Sequence, residues 1–169
     1  IPPVQEPSNV QINSIDDFWQ ISGVQYRGGV HSIDLAKNIL DSSRSKTQDD
    51  WASYSEAAKS KGEFFVPDYP MLYGILKALH TAKDDSSKSQ EIEEARAFLK
   101  DTSRKRWLMT LTRIIYKENG DDTVVHNFGT NDRYETQVNF TDKDEWLKDT
   151  KNIAPYQALL GTNDDAQQI

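Results

Sequence analysis

The chain has 169 residues, 36% hydrophobic and 10% aromatic, which is enough apolar surface for an ordered core and argues against intrinsic disorder. Its 27 acidic and 20 basic residues give a formal net charge of −7, so a broadly acidic field disfavours charge-driven binding to nucleic acid or anionic lipid. The absence of cysteine excludes disulfides, thiolate nucleophiles and zinc–sulfur sites, and fits cytosol and exterior alike.

Pro2, Pro3 and Pro7 mark residues 1–13 as an extended arm. Ser14 ahead of Asp16 and Asp17 reads as a helix start, with Ile15, Phe18 and Trp19 as its apolar stripe and Gly23 as its stop, which predicts a helix over 15–21. Ser32 and Asp34 repeat the pattern before Ile33, Ala36, Ile39 and Leu40 and predict a second helix over 32–42. Thr47 caps a third over 48–61, with Asp49 and Asp50 in its first turn and Trp51, Tyr54 and Ala58 on one face. Asp68 and Pro70 open a fourth over 68–83, where Met71, Leu72, Ile75, Leu76 and Leu79 recur at core spacing. A polar loop leads to a fifth over 89–103 that carries Ile92, Ala95, Phe98 and Leu99 inward.

The pattern then turns to strands over 106–117, 122–128 and 133–140, the first two joined by Asn119-Gly120, the strongest short hairpin signal. Thr141 with Asp142 and Asp144 caps a short helix carrying Trp146 and Leu147, and Pro155 starts another holding Tyr156, Leu159 and Leu160. The class expected is α+β: N-terminal helices packed on one face of a three-stranded antiparallel meander, then one or two short helices. Residues 14–161 form a single globular domain on this reading, and 162–169 a frayed tail.

A two-residue Asn119-Gly120 loop sets Arg113 opposite His126. If the next turn closes with Gly129 opposite Asp132, His126 also faces Glu135, and the three form a row across one face. A carboxylate can orient an imidazole while a neighbouring guanidinium holds an anion, a set suited to hydrolase-like acid–base chemistry. The plainer reading of the same row is a solvated cross-strand ladder, each pair contributing about 0.2–1 kcal/mol. The opposite face, with Ile114, Tyr116, Val125, Tyr134, Thr136, Val138 and Phe140, is the side for helices to cover. Trp107, Met109, Leu111 and Ile115 join Arg113 on the open side, and apolar residues mixed with charge suit a contact surface.

Two further clusters invite a ligand. Tyr26-Arg27-Gly28-Gly29 ahead of a capped helix could offer Arg27 and backbone N–H groups to an anion, although paired glycines more often mean a tight bend. Arg104, Lys105 and Arg106 beside Trp107 could grip phosphate and stack a base, or simply complement a helix C-terminus. His31, His80 and His126 are too scattered for a metal motif, and no metalloprotease, calcium-loop or serine-elbow pattern occurs, so neither metal nor cofactor is expected. Asn139-Phe140-Thr141 fits the glycosylation acceptor pattern, which arises often by chance.

No apolar run is long enough to span a bilayer, and the N-terminus lacks a signal peptide's basic and apolar regions, although a removed signal could have preceded Ile1; localisation is left open, with cytoplasmic favoured over secreted. The function expected is a non-catalytic module that contacts a protein partner through an exposed sheet face or edge. A small enzyme using His126, Glu135 and Arg113 is the first alternative, and a nucleic-acid binder using the Arg104 to Trp107 cluster the second.

Overall fold

A computed structural model describes residues 10–39, 46–84, 87–105, 109–140 and 153–162, with backbone alone for 103–105 and 153. The elements run β1 (Gln11–Ile15), β2 (Phe18–Tyr26), β3 (Gly29–Ala36), α1 (Gln48–Ser60), α2 (Tyr69–Ala82), α3 (Ser89–Lys105), β4 (Thr112–Ile115), β5 (Asp122–His126), β6 (Tyr134–Val138) and α4 (Ile153–Leu160). The class is α+β, with helices preceding an antiparallel meander, and a second three-stranded sheet comes before both. The chain divides into two compact units, residues 1–44 with 73–108 and residues 45–72 with 109–169. Among the described residues no helix is long and apolar enough to cross a membrane.

The first unit corrects two expectations: the segment read as a helix over 15–21 is the end of β1, a turn and the start of β2, and that over 32–42 is β3 to Ala36 followed by an irregular 37–39. Aspartate before an apolar residue serves a hairpin turn as well as it serves a helix cap, since Asp tolerates left-handed backbone better than most residues. Asp16 takes that conformation at φ 44°, and Asp16-Asp17 joins β1 to β2. Arg27 and Gly28 lie at φ 50° and 75°, the pair of positive values that a type I′ hairpin turn requires, so the Tyr26-Arg27-Gly28-Gly29 segment is a strand turn and not a helix entrance. Gly23, expected as a helix stop, lies at φ 83° where the β2–β3 register shifts between Ile21 and Val24. The shift leaves Ile21 and Val24 both fully buried. Residues 10–13 of the expected arm are described, and Gln11 onward forms β1; residues 1–9 and 40–45 lie outside the description.

Alternation does the rest in this sheet. Ile12 pairs with Ile21, and Ile21 with Ile33, so one face is apolar at every second position. Trp19 on that face meets Phe98 of α3 with ring centroids 5.6 Å apart. α2 passes so near that a Cβ built on Gly74 would stand 2.4 Å from the carbonyl oxygen of Gln25, so only glycine fits there. Tyr73, Ile75, Ala78, Leu79 and Ala82 of the same helix are buried, whereas Leu76, expected inside, is 37% exposed.

The second unit follows its sequence signals more closely. Thr47 caps α1 through a capping box: its hydroxyl accepts the Asp50 N–H at 3.1 Å, and the Asp50 carboxylate accepts the Thr47 N–H at 3.2 Å. The Thr47 side-chain bond, then the backbone bond, and the nearby Lys46 charge hold the Asp50 carboxyl below its ordinary value. Asp68 caps α2, with Oδ1 accepting the Met71 N–H at 2.9 Å. β4, β5 and β6 form the expected meander, although β4 is shorter than the expected 106–117 and residues 106–108 lie outside the description. α4, the helix expected around Pro155, packs Tyr156, Ala158 and Leu159 against Val124, Val138 and Phe140 of the sheet side. The helix expected from Thr141, with Trp146 and Leu147, lies outside the described residues.

Candidate interaction surfaces

The Arg113, His126 and Glu135 row is not formed. Arg113 pairs with Val125 and Thr112 with His126, while Val125 pairs with Glu135 and His126 with Tyr134. Each turn is one residue away from the expected register, and in an antiparallel sheet one residue moves a side chain to the opposite face. Arg113, Val125 and Glu135 therefore share one face and Thr112, His126 and Tyr134 the other, so Val125 is not on the Ile114 side as expected. For the first turn the cause lies in Asp122. Its Oδ1 accepts the Lys117 N–H at 2.8 Å and its Oδ2 the Phe140 N–H at 3.2 Å, which holds a wide loop open beyond the last pair, Ile115 with Thr123. Gly120 is left-handed at φ 86° but Asn119 is not, so the two-residue hairpin turn does not form.

His126 is fully buried and bonded at both ring nitrogens. Nε2 lies 3.0 Å from the Ala158 carbonyl, which can only accept, so Nε2 carries the proton. Nδ1 lies 3.0 Å from the Thr112 hydroxyl, which itself accepts the Tyr69 N–H at 2.8 Å and so turns its own proton toward the ring. Tyr134 stacks on the imidazole at 4.8 Å between centroids and reaches Asp68 Oδ2 with its hydroxyl at 3.3 Å. This is a buried structural network joining the start of α2, the sheet and α4, with the imidazole turned away from solvent.

On the other face the Arg113 guanidinium lies 3.5 Å from the centre of the Phe128 ring. Its Nε donates to Gln48 Oε1 at 2.6 Å and its terminal nitrogen to Asp49 Oδ1 at 3.1 Å, while Glu135 is paired with Arg133. These are neutralised, partly exposed pairs around the buried Val125, each contributing about 0–1 kcal/mol. Met109 and Ile115 are more than a third exposed there, but Leu111, expected beside them, is buried. Arg27 occupies the β2–β3 turn, and the Arg104 side chain, Arg106 and Trp107 lie outside the described residues. Among the described residues no group of three or more His, Asp or Glu side chains could hold a metal ion.

The sheet edges differ more than the faces do. At the outer edge of β4 two carbonyls are occupied: Gln48 at the start of α1 donates through Nε2 to Thr110, just before the strand, and to Thr112, its first residue, both at 2.9 Å. Among the described residues β3 has β2 on one side only. Among the described residues nothing bonds to the outward backbone groups of its eight residues. Val30 is 70% exposed, and His31, Ser32, Asp34 and Ala36 are exposed with it. β3 contains neither proline nor lysine, the residues that commonly block a free edge. Reading 32–42 as a helix concealed this edge; the signal that could have found it is the alternation of Ile33 and Leu35 after the Arg27-Gly28 turn.

No family model, curated protein or solved structure matches the chain.

Proposed function

We propose that the chain is a protein-binding module whose contact element is the free edge of β3, which takes up an extended segment of a partner protein by strand addition. The observation that carries this reading is the run of eight edge residues whose outward N–H and C=O groups have no partner among the described residues. Such a row is a template for another strand, with main-chain hydrogen bonds supplying affinity and alternate side chains selecting the sequence. Val30 offers the entering strand an apolar contact, and Asp34 with the acidic total charge favours a basic or neutral segment over an acidic one. At the start of β4 a single glutamine occupies two outward carbonyls, and among the described residues no side chain does the same at β3.

The test is selection of linear peptides against the folded chain, followed by amide exchange of the complex. Strand addition slows exchange at the outward β3 amides, and Val30→Lys or Ser32→Pro abolishes binding while the far-ultraviolet circular dichroism stays unchanged. Peptides that protect other segments and leave β3 exchanging freely would remove the reading, as would selected peptides that bind Ser32→Pro as tightly as the parent.

A further inference from the structure

The wide loop between β4 and β5 holds a second feature, independent of the β3 edge. Asn119-Gly120 is the single Asn-Gly pair of the chain, and both residues are exposed. Among the described residues no hydrogen bond is made by residues 118–121, so neither the Asn119 amide nor the Gly120 N–H is held. Where a Cβ would sit on Gly120 there is open space, and glycine has none to shield its nitrogen. Asn131 is the contrasting case: it precedes Asp132, which carries a side chain, and its amide donates to Glu56 at 3.1 Å.

From this arrangement we infer that Asn119 is a site of spontaneous deamidation with solvent water as co-reactant. The Gly120 backbone nitrogen gives up its proton and bonds to Cγ of Asn119, closing a five-membered succinimide, and the side-chain nitrogen leaves as ammonia. Water adds to either ring carbonyl, and the ring C–N bond on that side breaks. Opening at one carbonyl gives an aspartate with the original main chain. Opening at the other gives an isoaspartate, whose main chain runs through the former side chain and is one carbon longer. Either product places a new carboxylate between Glu118 and Asp121, within a loop whose closure is set by Asp122. The Tyr116 to Asp122 connection therefore gains charge, and in the isoaspartate form length, as the protein ages.

The experiment uses the folded full chain, kept in heavy-oxygen water at neutral and mildly alkaline pH, with peptide mapping by mass spectrometry. The peptide containing Asn119 is expected to lose its amide nitrogen and gain one heavy oxygen, faster at the higher pH, and to become a substrate for isoaspartyl methylation. Asn119→Gln, an exposed change that leaves the loop backbone alone, removes the conversion, and the peptide containing Asn131 stays intact over the same interval. Retention of the Asn119 amide in the folded chain while the urea-unfolded chain converts would overturn the inference, as would equal conversion at Asn131.

Discussion

Among the described residues three consecutive antiparallel strands occur twice, and the two sheets bury different chemistry. β1 to β3 turn Ile12, Trp19, Ile21 and Val24 inward, an apolar face that meets aromatic and aliphatic side chains within its own unit. β4 to β6 bury Thr112, Asp122, Thr123 and His126 beside Val124 and Val125, and their contacts are hydrogen bonds with fixed partners. Apolar packing is non-directional and tolerates exchange at constant volume, whereas a buried polar group is either paired or costs its full desolvation. The second sheet should therefore react to loss of single atoms, and the first to changes of volume and backbone approach.

The largest effect is expected at Asp122. One carboxylate accepts two backbone N–H groups, from Lys117 and Phe140, and is 1% exposed. Asp122→Ala leaves both donors without that acceptor and should lower stability by about 3–5 kcal/mol in urea unfolding followed by tryptophan fluorescence. Asp122→Asn keeps one acceptor oxygen and should lose less. If alanine and asparagine cost the same, the double staple is not what closes the β4–β5 loop.

Thr112→Val removes an atom that serves two partners while conserving shape. The Tyr69 N–H loses its acceptor and His126 Nδ1 its donor, for an expected loss of about 2–3 kcal/mol. A loss below about 0.5 kcal/mol, the ordinary range of surface changes, would mean that the network is not holding the start of α2 to the sheet.

These contacts explain how much could be read beforehand. Thr47 with Asp50, Asp68 before Pro70, and the apolar spacing of α2 and α3 are local signals, and local signals located α1, α2 and α3. In the first unit Ser14 with Asp16 and Asp17, and Ser32 with Asp34, imitate helix starts, and only pairing across strands decides between a helix start and a strand. At the row, the Asn119-Gly120 dipeptide is a hairpin signal that Asp122 overrides by capturing the Lys117 N–H, a contact that no pairwise motif announces. The two slips have the same sense, so Arg113 and Glu135 remain on one face and only His126 is turned inward.

In the first unit the expected effects are smaller and of another kind. Gly74→Ala adds one methyl group to a helix, which by propensity alone favours the helix by about 1 kcal/mol. At this position the new Cβ would stand 2.4 Å from a backbone oxygen of β2 and 3.3 Å from a methyl carbon of Val24, and a backbone strand cannot move aside as a flexible side chain can. The strain should outweigh the propensity and leave a net loss of about 1–2 kcal/mol. A stabilised Gly74→Ala variant would show that α2 and β2 can separate without penalty.

The smallest effect sharpens the comparison furthest. Trp19 is 5% exposed, and its indole Nε1 has no hydrogen-bond partner among the described residues. An unpaired buried N–H of this kind costs about 1–3 kcal/mol. Trp19→Phe deletes that donor and keeps an aromatic ring toward Phe98, while giving up ring area and part of the Lys37 contact, whose Nζ lies 5.5 Å from the indole centre. The gain and the loss are of similar size, so the change should stay within about 1 kcal/mol of the parent. Thr112→Val alters far less volume than Trp19→Phe, yet it should cost more. If unfolding measurements reverse that order, the first sheet is as exacting as the second, and the division between an apolar and a hydrogen-bonded interior fails.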